Sequence, residues 1–370
     1  MTTRSVELLR VAHARPGVTR ADAARLLGVG TGAATEIVAR LSQQSLLAEA
    51  PAAPSGARGR PTTVLVAHPA GPLVLAAAIT HAAWRIDVVE LGGTVLTSMD
   101  GRHAGESWAS VAATVTAAMS PLHDRYGVRL RAMGLSVPGT VSPGLRLDVS
   151  SLGWHDVDLT SLWPDPALFV AGNDATLAAS AESTRGAATG ATVALHLRVE
   201  AGLGGAVVDH GKVLVGAHGA GGEFGHMPFG DPAVACPCGA AGCWGTSVDG
   251  TALARLLDRP APADPVGYAR RVIAAGAESE LTAVRTVAAA LGRGMAGLVN
   301  ALDADLVTLG GVGADLLAAA PAEIDAAYRA GLMSVRRAAP PPVLPAALGD
   351  DGPIAGAAEE AWSRLLTRLV

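Results

Sequence analysis

Residues 225–246 read GHMPFGDPAVACPCGAAGCWGT, and they hold all three cysteines of a 370-residue chain. The spacing is His226, nine residues, Cys236-x-Cys238, four residues, Cys243. One imidazole and three thiols supply the four N/S ligands of a tetrahedral structural zinc site. Cys-x-Cys sets two sulfurs on one tight turn, and Gly239 and Gly242 let the backbone curl back to present the third. An odd number of cysteines in one cluster argues for metal over a disulfide framework. Three free thiols on a glycine-rich loop are the alternative. Three thiolates and an imidazole leave no open coordination position, so the Zn²⁺ is expected to be structural, holding a loop rather than doing chemistry.

Outward from this stretch the chain reads as strands and helices of an α/β protein. LVLAAAI (73–79), RIDVVEL (85–91) and GTVLTSM (93–99) are successive strand-like runs, followed by a helix over 107–126 and a strand at 131–137. ALFVAG (167–172) runs into a helix beginning at Asn173. Three more strand-like runs follow at 191–199, 204–211 and 212–217, then a long helix (279–301), a strand (305–311) and a closing helix (353–369). The order of three strands, helix, strand, helix, met twice, predicts two similar α/β lobes facing across a cleft. Half of the residues are hydrophobic but only 3% are aromatic, so the core must be built from Ala, Leu and Val.

The first 70 residues differ in texture. They carry eight arginines (4, 10, 15, 20, 25, 40, 58 and 60) against four acids, while the whole chain has net charge -5. A basic head on an acidic body points to a polyanion as the head's partner. Apolar positions recur at helical spacing over 3–14, Thr19 is placed to cap RADAARLLG, and a third helix is predicted from Thr31 to Gln44. LLAEA and TTVLVA pair as two short strands around PAAPSGARGRP. Three helices and a two-stranded ribbon make the winged helix-turn-helix plan, with the Pro/Gly-rich loop as wing tip. The expected organisation is a DNA-binding head over 1–67, a linker over 68–72 and a body over 73–370. The opening residues lack an apolar core segment, and no run of about 18 apolar residues occurs, so a cytoplasmic protein with no membrane partner is expected.

The cysteine stretch and what precedes it resemble the signature of the ROK family of repressors and sugar kinases. The family pattern G-x-x-G-E-x-G-H, nine residues, C-x-C-G-x-x-G-C is met from Gly219 to His226 and from Cys236 to Cys243. Further matches are GLSVPGTVSP (134–143), GW (153–154), Asn173-Asp174, GLGGAVVDHGKVLVGAHG (202–219) and LGGVG (309–313). The head resembles the winged-helix domain of the family's regulators, down to Arg58-Gly59-Arg60-Pro61 in the wing. The resemblance implies an actin-like, two-lobed sugar-kinase body (RNase H-like) behind the winged helix, assembled as a homodimer or homotetramer. It implies that Asn173, Asp174, Glu223 and His226 contact a sugar or sugar derivative, with His226 also on the zinc. Asn173 and Asp174 as simple helix caps are the alternative.

Two positions separate kinase from regulator. The phosphate-binding turn of the family's kinases falls on Ala78-Ile79-Thr80-His81-Ala82, without the acid that holds Mg²⁺ and without glycines that let backbone N–H groups reach phosphate. A second phosphate turn reads Glu200-Ala201-Gly202, with a carboxylate where a triphosphate would lie. These losses exclude ATP binding on this reading and predict a regulator of operator DNA rather than an enzyme. A sugar kinase with an atypical nucleotide site and a regulator that has lost sugar control are the alternatives. DNA contacts are expected from Thr31, Thr35 and Arg40 on the third helix and from Arg58 and Arg60 in the wing. One departure concerns the sugar: Trp244-Gly245 stands where the family has x-Glu. The indole either packs the zinc loop or offers a platform to a less polar ligand, and restoring the acid as Gly245→Glu is expected to tighten simple hexoses.

Overall fold

The computed structural model describes residues 3–52, 63–103 and 107–369. They form two compact units, Met1–Ser136 with Thr160–Ala171 and Ala357–Val370, and Val137–Leu159 with Gly172–Gly356.

The first unit opens with α1 (Thr3–Ala14), α2 (Arg20–Leu27) and α3 (Thr31–Gln43). Thr19 caps α2 by accepting the Asp22 N–H, and Gly28 ends it in the left-handed conformation. Strands β1 (Leu47–Pro51) and β2 (Thr63–Ala67) pair antiparallel, which is the expected ribbon. Leu8 and Leu9 of α1, Leu41 of α3, and Leu47 and Leu65 of the ribbon are all buried. A meander of β3 (Leu73–Ile79), β4 (Ala83–Glu90) and β5 (Val95–Arg102) follows, then α4 (Trp108–Tyr126) and β6 (Leu130–Val137), which lies parallel to β3.

The second unit begins with a small sheet of β7 (Thr140–Val141), β8 (Arg146–Val149) and β9 (Trp154–Asp158) that the sequence reading did not resolve. Strand β10 (Phe169–Asn173) completes the first five-stranded sheet, in the order β10-β6-β3-β4-β5, and leads into α5 (Asp174–Arg185). The meander then recurs as β11 (Val193–Val199), β12 (Leu203–Asp209) and a two-residue β13 (Lys212–Val213). Only the first two residues of the predicted 212–217 run are strand, because Gly216, Gly219, Gly221 and Gly222 break it into the loop that carries the motif. Helices α6 (Gly250–Leu256), α7 (Pro265–Ala275) and α8 (Glu278–Leu302) precede β14 (Leu306–Gly311), which is parallel to β11. Then come α9 (Val312–Ala319), α10 (Pro321–Gly331), α11 (Ser334–Arg337), β15 (Val343–Pro345) and α12 (Gly352–Arg368). The second sheet runs β13-β12-β11-β14-β15, repeating the plan of the first. Its core joins Leu195, Leu197 and Leu309 to the buried stripe of α8, with Trp244 and Tyr328 as its large side chains. That stripe is Val284, Val287, Leu291, Met295 and Leu298, recurring at three and four residues as an amphipathic helix requires.

Candidate functional site

The ligand atoms of His226, Cys236, Cys238 and Cys243 all lie within 4.8 Å of one another. The Cys238 and Cys243 sulfurs are 3.7 Å apart, and Cys236 Sγ is 3.8 Å from His226 Nδ1. A tetrahedron built on Zn–S bonds of about 2.3 Å has edges of about 3.8 Å, so the donor set fits Zn²⁺. The loop is shaped by its own backbone: Cys236 N–H donates to Ala240 O at 2.8 Å and Gly239 N–H to Cys236 O at 3.0 Å. Burial, with the two neighbouring cysteines, pushes the Cys243 thiol up to about 12, while the Ala240 backbone hydrogen bond leads the causes that hold Cys238 below its ordinary value. A divalent cation at the centre would reverse the first shift by deprotonating the coordinated sulfur.

From the cluster a chain of contacts runs through the second unit. His226 turns Nδ1 to the sulfurs and Nε2 toward Glu223, 3.7 Å from its Oε2. The other oxygen of Glu223 accepts a hydrogen bond from Thr140 Oγ1 at 3.0 Å. The neighbouring Gly139 carbonyl accepts from Asn173 Nδ2 at 3.0 Å. Gly222 sets the turn before Glu223, with φ +101; a Cβ there would stand 2.1 Å from the Gly205 carbonyl. Asn173 Oδ1 accepts the N–H groups of Ala175 and Thr176, and Asp174 Oδ1 that of Ala175, so both residues cap α5. The structure thus joins Asn173, Glu223 and His226 through one turn and sets Asp174 beside them in sequence. Thr140 went unassigned by sequence reasoning, although it lies inside the quoted 134–143 motif; the pairing across 83 residues is a product of folding.

Trp244 is fully buried, and its indole N–H donates to Ala290 O at 3.1 Å. The ring packs edge-on to Phe229, against Gly294 of α8. The platform reading is therefore corrected: the indole is core beneath the zinc loop and offers no face to a ligand. Gly245 is buried as well, with Leu203 N and Gly225 O each 3.3 Å from where its Cβ would stand. A glutamate there would push against backbone, so the expected gain from Gly245→Glu is withdrawn; displacement of the motif loop is expected instead.

At the β3–β4 turn, Thr80 Oγ1 accepts the N–H groups of Ala82 and Ala83, at 3.4 and 3.1 Å. In the head, Thr31, Thr35 and Glu36 lie on the exposed face of α3, and Thr35 Oγ1 donates to Thr31 O. Arg40 faces inward, donating to the buried Ser5 hydroxyl on α1 at 3.1 Å. Arg58 and Arg60 lie outside the described residues. Among the other head arginines, Arg4 pairs with Glu7, Arg20 with Glu49 and Arg25 with Asp22, while Arg10 and Arg15 are exposed. Among the described residues no helix is long and apolar enough to cross a membrane.

Comparison with known proteins fits this geometry. A glucokinase of Halalkalibacterium halodurans is 29% identical over 209 residues, covering 51% of this chain and 63% of the relative. The chain thus spans somewhat under two thirds of that glucokinase. A kanosamine kinase of Amycolatopsis mediterranei is 31% identical over 269 residues, 70% of this chain and 85% of the relative. A solved ROK family transcriptional regulator, homologous to the E. coli MLC protein, superposes with a TM-score of 0.75 at 20% identity, covering 98% of this chain and 97% of that one. That likeness establishes the fold, a two-lobed sugar-kinase body with an N-terminal helical segment. The ROK family profile matches residues 88–363. With three quarters of its length inside that profile and the histidine–cysteine motif assembled, the chain belongs to the ROK family.

Proposed function

We propose that this chain is a DNA-binding transcriptional regulator that responds to a sugar-like ligand and does not transfer phosphate. The observation that carries the reading is the head: three helices, the second capped by Thr19, and an antiparallel ribbon, basic in sequence, set ahead of the ROK body. We assign residues 1–67 to the DNA-binding domain, 68–72 to the linker and 73–370 to the ligand-binding body. Duplex DNA is the partner of the exposed face of α3, with Thr31 and Thr35, and of the wing, with Arg58 and Arg60. Arg40 supports α3 from behind. Asn173, Asp174, Glu223 and His226 offer acceptors and one donor edge for sugar hydroxyls, on a frame stiffened by a structural Zn²⁺ at His226, Cys236, Cys238 and Cys243. The working form is a cytoplasmic homodimer or homotetramer, whose paired heads would read two half-sites.

The β3–β4 turn supports the absence of catalysis. Its amide N–H groups at Ala82 and Ala83 are engaged by Thr80's hydroxyl, which withdraws two of the donors the turn would offer a phosphate. The kinase names among the relatives keep phosphoryl transfer as the competing outcome. The test has two arms on the purified full chain. Fluorescence anisotropy with DNA from its own promoter region is expected to show saturable, salt-sensitive binding. A coupled assay with ATP and a hexose and aminosugar panel is expected to stay at background. Turnover abolished by Asp174→Asn would replace the regulator reading with a kinase.

A further inference from the structure

The hairpin that carries the cysteines presents them unequally. Its two arms are tied by the Gly242 N–H donating to Val234 O at 2.9 Å and by the Cys236 N–H donating to Ala240 O at 2.8 Å. Cys238 stands at the tip and is exposed, whereas Cys243 is buried where the chain leaves the hairpin for Trp244. Gly239, beside Cys238, has φ +93, and a Cβ there would meet nothing within 4 Å, so the tip is open to small solutes. The Cys238 and Cys243 sulfurs are 3.7 Å apart, while Cys236 is half-buried with its Sγ 3.8 Å from His226 Nδ1. One exposed sulfur thus faces one sheltered sulfur, and the third sits against the imidazole.

We propose that Cys238 and Cys243 form a redox switch in the motif loop, in which hydrogen peroxide joins the two sulfurs and the metal is released. This rests on the reading of the cluster as a zinc site, and it gives that site a regulated state beyond its structural role. Coordination holds both sulfurs as thiolates, the nucleophilic form. The exposed Cys238 thiolate attacks one oxygen of the peroxide, becoming a sulfenic acid and releasing hydroxide. The Cys243 thiolate then attacks the Cys238 sulfur, closing a disulfide and expelling a second hydroxide. Two electrons pass from the sulfurs to the peroxide, and Zn²⁺ leaves with its charge unchanged. Bonded sulfurs lie well inside the edge of a tetrahedral zinc site, so two of the four donors are lost together. Cys236 is the spared thiol: with one residue between it and Cys238, the two would close a ring too small for unstrained disulfide geometry. Without the metal, His226 is no longer held at Nδ1, and the placing of its Nε2 3.7 Å from Glu223 Oε2 loses its fixed side. The switch therefore acts on two residues assigned above to the sugar.

The experiment treats the freshly purified full chain with hydrogen peroxide and follows zinc release with a chromogenic chelator, with intact mass and differential alkylation as the second readout. Zinc is expected to leave in step with one Cys238–Cys243 disulfide, with Cys236 still open to alkylation, before any methionine gains oxygen. A thiol reductant with added Zn²⁺ should restore the starting metal content. Cys238→Ser leaves Cys243 without its exposed partner, and Cys243 should then be oxidised at least about tenfold more slowly than in the wild type. Should that variant fail to fold, the wild-type mapping decides alone. Zinc that stays bound until methionines oxidise overturns the proposal, as does a disulfide through Cys236. Release that reductant and Zn²⁺ do not reverse, or equally fast oxidation of Cys243 in folded Cys238→Ser, overturns it too. Protein with no zinc before peroxide is added sinks the zinc reading and this proposal with it, whereas zinc present but unreleased sinks this proposal alone.

Discussion

His226 belongs to two systems, its Nδ1 facing the sulfurs and its Nε2 facing Glu223. A metal bound at the cluster would fix the ring and with it the Glu223 carboxylate. Cys236→Ser is therefore expected to reduce zinc from about one equivalent to well under half and to destabilise the body, read by elemental analysis and thermal unfolding. Wild-type protein carrying little zinc when freshly purified would overturn the metal reading. His196 tests a different buried residue. Burial, then the charge of Arg198, lowers its pKa from 6.5 to about 3. The unfolded chain binds this proton between those values and the folded chain does not, so stability falls as pH drops from 6.5 toward 3. His196→Gln should flatten that part of the stability–pH curve relative to wild type; an unchanged slope would show that His196 does not titrate as its burial requires.

With DNA as the head's partner, as proposed, the third helix and the wing would divide recognition between them. At its N-terminal end α3 exposes few polar groups, Thr31, Thr35 and Glu36, with Ser42 and Gln43 exposed at its far end, and Thr35's hydroxyl is engaged by the Thr31 carbonyl. Little base reading is therefore expected from this helix, and the wing arginines are expected to supply much of the affinity. Arg58→Ala and Arg60→Ala should each weaken operator binding and reduce the salt slope by about 1, since each removes one phosphate-neutralising charge. Thr31→Ala and Thr35→Ala should change sequence preference more than affinity. A double wing variant with unaltered affinity and salt slope would assign the contacts elsewhere. Arg40, expected at the DNA as one of the few polar residues of this helix, donates to Ser5 because a 13-residue helix must bury one side, and position 40 falls at the margin of that side.

Within the first unit the head is anchored through His13. Its Nδ1 accepts the Gly92 N–H at 3.0 Å, which leaves Nε2 to donate to Glu359 Oε2 at 3.1 Å, and the ring lies 5.4 Å from that of Trp362. Glu359→Ala strips a buried donor of its acceptor and is expected to cost about 1–3 kcal/mol, with faster release of an N-terminal fragment in limited proteolysis. An unchanged digestion pattern would show that the head is held by other contacts. The residue types needed for the zinc cluster, the three strands, helix, strand and helix plan of both lobes and the Thr19 cap were legible in the sequence, because each rests on local spacing, whereas α6, α7, α9–α11 and β15 were not read. The small sheet over 140–158 was not, since its strands are short and paired only within the folded unit. Nor could spacing tell that Trp244 is core, that Gly245 faces backbone, or that Thr140 holds Glu223. The sequence by itself determined the family and the donor set, both of which depend on which residues are present and how far apart they lie along the chain. Only the tertiary structure decided that Glu200 meets Arg198 beside Gly311 and that His13 meets Glu359, because residues 111 and 346 positions apart come together only when the sheets and helices pack.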